Sequence, residues 1–328
     1  VTYFLRRIGY FLLTLWAAIT LNFLIPRLQP GDPAELMIRQ ISGRDTEIDP
    51  ARIEAMRIML GQPEGNLFQQ YLAYLGQLAR GDFGYSYTYF PATVTDVIGR
   101  ALLWTLVLVG VTLMLSFVIG TALGAFAAWW RNSPFDSVVT LGSTFVGTLQ
   151  SFWVALLLLF VFGYVLGWFP TAGGYEASMP GLNLEFLADA VRHSVLPATV
   201  LMLLGPVGWV LGMRNTMILN LGEDYIRLAR AKGVPDKQIA LRYAARNALL
   251  PSVTGLAMAL GGILGGQILI ETTFDYPGLG RLMQQAASGK DYPLLQALLL
   301  FTIVGTLVAN LIADMLYGVL DPRARKAA

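Results

Sequence analysis

The chain has 328 residues, of which 55% are hydrophobic and only 13% charged, with a net charge of +2. A soluble domain of that length carries about 25% charged residues, so the composition excludes the soluble globular class and points to a polytopic membrane protein. There is no cysteine and a single histidine, His193; disulfides, thiol nucleophiles and Cys-ligated metals are excluded, and a histidine-built metal site or a Ser-His-Asp triad has almost no material.

In chain order, a basic preface from Tyr3 to Arg7 leads into an 18-residue apolar run, Ile8 to Ile25. That length is just enough to cross hydrocarbon, and no small-residue cleavage site follows, so segment 1–25 reads as a cytoplasmic terminus and a retained first span. Pro26 to Pro33 ends it abruptly. The region 26–97 holds six basic and nine acidic residues among aromatics and leucines, which predicts a small, mostly helical extracytoplasmic insertion. Segment 98–320 then carries five apolar runs, at about Ala101 to Trp130, Val138 to Trp168, Ser194 to Met213, Val253 to Ile270 and Leu294 to Leu320. The expected fold is therefore all-α and polytopic with six transmembrane helices, closed by a polar tail over 321–328.

Charges in the short loops set the sidedness. With a cytoplasmic N-terminus, 13 basic residues fall inside: Arg6, Arg7, Arg131, seven between Arg214 and Arg246, Arg323, Arg325 and Lys326. The short outer loops hold only Arg192, Arg281 and Lys290, with Arg100 at the rim of the long insertion. Both termini are thus expected in the cytoplasm. Because the basic residues sort by membrane side and form no continuous patch, nucleic acid is not an expected partner.

The loop 214–250 is the most ordered polar stretch, with Arg214, Arg227, Arg230, Lys232, Lys237, Arg242 and Arg246 against Glu223, Asp224 and Asp236. Glu223 to Lys232 reads as a short helix, with Tyr225, Leu228, Ala229 and Lys232 at i, i+3, i+4 and i+7, and Gly233 stops it. Pro235 cannot continue that helix but can begin another, running into Arg246-Asn247-Ala-Leu-Leu-Pro251. A helix, a sharp corner and a second helix on a basic membrane face need something to dock on them.

Other candidates are sparse. Gly261, Gly262, Gly265 and Gly266 give two small-xxx-small registers, as do Gly120 and Gly124, and are expected to let helices approach closely. Asp314 is the one carboxylate inside a span and, with Asn310 one turn earlier, is expected to hold helices together. Glu271 and Asp275 either face a translocation path or form a solvated rim. His193 reads as an interfacial anchor, and no metal site is expected. One shallow carboxylate is poor material for ion coupling, and no G-x-x-x-x-G-K-[ST] occurs, so any uphill transport must draw its energy from another subunit. A secondary transporter would call for paired midplane charges or an inverted repeat, and an intramembrane protease for a His/Asp/Glu or Ser/Lys constellation at depth; neither pattern is found.

The loop resembles the EAA loop of ABC-importer permeases, in the form found in the B-type subunit of the dipeptide/oligopeptide/nickel family. The resemblance rests on Asp224-Tyr-Ile-Arg-Leu-Ala-Arg-Ala-Lys-Gly233 and Arg246-Asn-Ala-Leu-Leu-Pro251, and extends to Pro30-Gly-Asp-Pro33, Gly81-Asp-Phe-Gly-Tyr-Ser86, Gly167-Trp-Phe-Pro170, Glu271 to Gly280, Asp291-Tyr-Pro293 and Asn310 to Arg323. Arg227-Leu-Ala229 stands where the general motif has Glu-Ala-Ala, so the motif's glutamate role does not transfer. The resemblance implies a six-helix type I importer permease, one of two related subunits of a prokaryotic inner-membrane complex, with residues 223–233 as the helix that couples to a cytoplasmic ATPase. Its implied partners are a homologous second permease, two cytoplasmic ATPase subunits or domains, an extracytoplasmic solute-binding protein and membrane lipid. No cofactor is implied in this chain, ATP and Mg being bound by the ATPases. Peptides are the favoured cargo; nickel chelates, glutathione-like compounds and oligosaccharides stay open.

Overall fold

The computed structural model describes residues 2–27, 38, 49–53, 66–176 and 183–320. Pro30 to Pro33 and Asp321 to Arg323 lie outside them, as does most of 28–65, so the insertion expected over 26–97 is described chiefly through residues 66–97. Among the described residues the fold is helical, with only an isolated antiparallel bridge between Tyr85 and Thr93. Five helical stretches among these residues are long and apolar enough to cross a membrane: Arg6–Leu24, Val94–Trp129, Leu184–Leu221, Asp236–Gly265 and Tyr292–Ile312.

Helix α1 (Thr2–Arg27) lies at the periphery. Near its end, Asn22 Nδ2 donates to Gln296 O and Gln296 Nε2 returns a bond to Asn22 O, which ties α1 to the last helix. Phe23 packs on Tyr71 and Tyr74 of α2 (Leu67–Ala79). The start of α2 is set locally by a capping box between Asn66 and Gln69, which satisfies backbone donors that the helix itself leaves unpaired.

The central strut is α3 (Val94–Trp129), capped by Thr93 and 36 residues long. At 1.5 Å per residue it measures about 54 Å, well beyond the ~30 Å hydrocarbon core. Its two ends sit in different apolar clusters. Val94, Ile98 and Ala101 join Leu279, Leu282, Leu294 and Leu298 at one end; Ala128 joins Met213, Met217, Ile226 and Ile239 at the other. Between them α3 runs along α7 (Pro206–Leu221), where Gly120 lies against Pro206 and Trp209 and Gly124 against Val210 and Met213. A side chain at either glycine would collide with the facing helix, so the small residues set the spacing.

The third apolar run departs from expectation. From Val138 to Trp168 it forms not one straight helix but two pieces, α4 (Pro134–Thr148) and α5 (Ser151–Leu158) with its π-helical continuation Leu159–Val165, bent by 93°. Leu149 and Gln150 at the break are extended. Gly147 and Thr148 precede them, and the Thr148 hydroxyl donates to Phe145 O, a local competitor for the helix's own bonding. Helix α6 (Leu184–Leu204) begins at the Asn183 cap and meets α7 at Gly205.

After α7 come α8 (Asp224–Ala231) and a 30-residue rod from Asp236 to Gly265: α9 (Asp236–Gln238), a π-helical segment Ile239–Ala245, α10 (Arg246–Gly262) and a 3-10 turn, Ile263–Gly265. The chain then forms α11 (Ile268–Thr273), α12 (Leu279–Ser288) and α13 (Tyr292–Leu320). Gly261 packs on Gly305 and Ala309 of α13, and Gly265 on Thr302, while Gly262 faces open space. Gly266 is a different case. Its φ is +66°, and a Cβ there would lie 2.5 Å from Gly280 N, so both backbone conformation and close approach require glycine.

Candidate functional site

The corner after α7 is built by local signals. Glu223 is extended and stands at the N-cap, Asp224 occupies the first turn, and Arg230 the last, an arrangement favoured by the helix dipole. At the other end Gly233 has φ +77°. Its N–H donates to Arg230 O (2.9 Å) and that of Val234 to Ala229 O (3.1 Å). These paired bonds form a Schellman cap, and the left-handed residue in it is ordinarily glycine because any Cβ disfavours that conformation. Pro235 then caps the rod that begins at Asp236.

The helix is held by one face. Ile226 is fully buried and Ala229 nearly so, against Met213, Met217, Ile239, Ala244 and Ala248, with Val234 closing the edge. The expected stripe of Tyr225, Leu228, Ala229 and Lys232 is thus split: Ala229 does face inward, together with Ile226, while Leu228 is 56% and Tyr225 37% exposed. In a helix of two turns both pairs satisfy an i, i+3 spacing, and the tertiary neighbours decide between them. Tyr225 OH accepts a bond from Asn247 Nδ2 (3.2 Å), which fastens α8 to the start of α10. Outward lie Asp224, Arg227, Leu228, Arg230, Ala231 and Lys232. Arg227 reaches Asp224 at 3.4 Å with both side chains largely in solvent; such a pair contributes little. Arg246 and Pro251 are also exposed on the rod. An apolar knob, Leu228, thus stands among three cations on an eight-residue helix, and none of the described residues covers it.

Arg214, counted above with the loop's free charges, is not one of them. Its Nε and Nη2 bond both oxygens of Asp136 at 2.6 and 2.9 Å, a bidentate pair. Asp136 is buried at the start of α4 and also accepts from Asn132 N and Thr140 Oγ1. The pair clamps α4 to α7 just before the corner. Sequence reasoning missed Asp136, because its partner lies 78 positions away and no local pattern marks it.

At the opposite end of α3, Glu271 is corrected as well: it neither faces a path nor forms a solvated rim, being fully buried. Thr105 Oγ1 donates to its Oε1 (3.0 Å), and Gly280 N (2.6 Å) and Arg281 N (3.2 Å) donate to its Oε2. A carboxylate paired with backbone donors at the start of α12 is a clasp, and it explains why Gly266 and Gly280 meet. Asp275, with φ +49° and a half-exposed side chain, pairs with Arg281 at 2.7 Å. Asp291, also fully buried, accepts from the Ser86 hydroxyl, Thr88 N (2.9 Å) and Leu294 N, joining two of the sequence signatures, 81–86 and 291–293. Asn310 is exposed, and the side chain of Asp314, its expected partner in packing, lies outside the described residues. Among the described residues no cluster of three metal-ligating side chains occurs.

Apolar helices long enough to cross a membrane, tightly packed glycines and a capped polar helix exposed at one end define a multi-pass helical membrane protein. A family model described as the binding-protein-dependent transport system inner membrane component matches residues 120–326. Over 98% of both chains, the protein is 36% identical to the oligopeptide transport system permease protein AppB of Bacillus subtilis and 32% identical to the glutathione transport system permease protein GsiC of Escherichia coli. The chain belongs to this family, the permeases of binding-protein-dependent ABC importers.

Proposed function

We propose that the chain is one of two non-identical transmembrane subunits of a prokaryotic importer for di- or oligopeptides, forming half of the translocation pathway in the cytoplasmic membrane. The corner at 223–233 faces the cytoplasm, as do both termini, and α8 seats in a groove of a cytoplasmic ATPase. Two such ATPase subunits or domains bind ATP and Mg, a homologous permease completes the pathway, and an extracytoplasmic solute-binding protein docks at the end that carries α2 and α12. The observation that carries this reading is the Schellman-capped helix whose buried face is satisfied by its own chain and whose outer face, Leu228 among Arg227, Arg230 and Lys232, is not. An α-helix of eight residues is about 12 Å long, short enough to lie in a single cleft and transmit a push as one body. The peptide cargo is supported by the printed names of relatives such as AppB. Glutathione, itself a small peptide, is the second reading, supported by the name of the Escherichia coli relative.

The test is ATP-dependent uptake by the complete complex in proteoliposomes, with a labelled dipeptide, an oligopeptide and glutathione as separate cargoes. Uptake of peptide that requires both ATP and the binding protein is expected. Uptake of none of the three, or ATP hydrolysis indifferent to replacement of Leu228 by aspartate, overturns the assignment.

A further inference from the structure

At the end of α3 remote from α8 there is a cleft of about 400 Å³, within the size range of small-molecule sites. Three of its lining residues fall on one face of α3 at successive turns: Asp96, Arg100 and Trp104. Trp104 is fixed in place by Tyr175, stacked on it at 5.8 Å and 8°, and by Tyr276 edge-on at 5.6 Å. Gly174 lets this aromatic wall close, since a Cβ there would meet Pro277 at 2.7 Å. Across the cleft Arg281 is anchored through its Nε to Asp275.

The charges are arranged but not cancelled. Asp96 takes the Thr93 hydroxyl on one oxygen at 2.7 Å, which orients it and leaves the other oxygen open. Arg100 is exposed and forms no ion pair among the described residues. Although Asp96 and Arg100 are four residues apart, they do not join each other as helix neighbours commonly do. Tyr89, whose hydroxyl bonds Gln285 at 2.6 Å, is pushed above its usual pKa, chiefly by burial. It stays neutral at physiological pH and adds no negative charge beside the guanidinium.

Four residues of helix rise about 6 Å, and two extended residues span about 7 Å. A dipeptide laid along this face of α3 is therefore of a length to bring its ammonium beside Asp96 and its carboxylate beside Arg100, with an apolar side chain one turn further, at Trp104. We propose that this cleft binds the free termini of a short peptide, Asp96 receiving the ammonium and Arg100, backed by Arg281, the carboxylate. This rests on the peptide-importer reading and makes the permease itself a second reader of cargo, beyond the binding protein.

The experiment uses the complete complex in nanodiscs without binding protein. Equilibrium binding is measured for labelled Ala-Phe, its C-terminal amide and its N-acetyl form. Wild type should bind Ala-Phe and lose about ten-fold or more with either blocked end, the scale of losing one charge-assisted contact. Arg100→Gln should bind free Ala-Phe about ten-fold less well and no longer distinguish acid from amide, while Arg100→Lys keeps the distinction. Asp96→Asn should lose the distinction for the N-acetyl form, with thermal unfolding run alongside to separate a damaged helix cap. The proposal is overturned if Arg100→Gln still discriminates acid from amide as wild type does. Failure of the dipeptide to bind also overturns it. ATP-dependent peptide uptake by wild type, measured in parallel, separates the two readings: uptake that ignores Arg100 sinks only the cleft, and absence of uptake sinks the peptide cargo.

Discussion

Gly233 offers the sharpest test of how the corner works. Its φ of +77° lies in the left-handed region, yet a Cβ built there meets nothing within 4 Å. The cost of Gly233→Ala is therefore a backbone cost alone, about 1–2 kcal/mol, and a gain in bulk adds little. That energy corresponds to roughly a 5- to 30-fold loss in the population with the corner correctly turned. Asparagine tolerates the left-handed region better than other non-glycine residues, so Gly233→Asn should fall between alanine and wild type, and Gly233→Val should be worse than alanine. The measurement is peptide transported per ATP hydrolysed in proteoliposomes, with insertion of each variant verified by protease accessibility. The expected order is Gly, Asn, Ala, Val, with ATPase activity persisting as coupling falls. An order that follows side-chain volume, with asparagine worse than alanine, would refute the backbone argument.

Two further contrasts separate the inner from the outer face of the corner and test the clamp behind it. Leu228→Ala should leave the thermal unfolding of the isolated permease within about 0.5 kcal/mol while weakening ATPase association in a pull-down titration; Ile226→Ala, at a fully buried position, should destabilise the permease by about 2–4 kcal/mol, and equal melting of the two would contradict the assigned faces. Asp136→Asn leaves Arg214 without its partner and should cost about 3 kcal/mol in unfolding experiments. Adding Arg214→Met should recover much of that loss, and a double variant no better than the single one would show that the two residues act separately.

What was legible in the sequence was whatever is encoded locally. The bounds of α8 follow from Glu223, Gly233 and Pro235, residues whose effects reach no more than a turn or two, and the structure places the helix at Asp224–Ala231. Its buried face was not legible, because Tyr225/Leu228 and Ile226/Ala229 are equally good stripes until Met217 and Ile239 are known to lie beside them. The break at Leu149 and Gln150 escaped for another reason: hydropathy averages over a window and is blind to backbone direction, and no proline marks the bend. Glu271 looked like a rim charge since it ends an apolar run. Only Thr105, 166 positions earlier, and the amides of Gly280 and Arg281 reveal it as a satisfied interior carboxylate. The cleft at Asp96 and Arg100 was half legible: the i, i+4, i+8 series is written in the chain, but the wall formed by Tyr175 and Arg281 comes from elements far along it.

The rod from Asp236 to Gly265 spans 30 residues without interruption, about 45 Å of helix. One end abuts α8 through its π-helical segment. The other stops at Gly266, whose backbone rests on Gly280 at the head of α12, and α12 supplies Arg281 to the peptide-sized cleft. Between the corner and Gly266 the rod passes from π-helical to α-helical to 3-10 geometry and through Pro251, the features at which helices bend. The close approach of Gly266 to Gly280 and the Glu271 clasp hold the head of α12 against the end of the rod. One stretch of chain thus runs from the apolar cluster that seats α8 to the head of the element that lines the cleft.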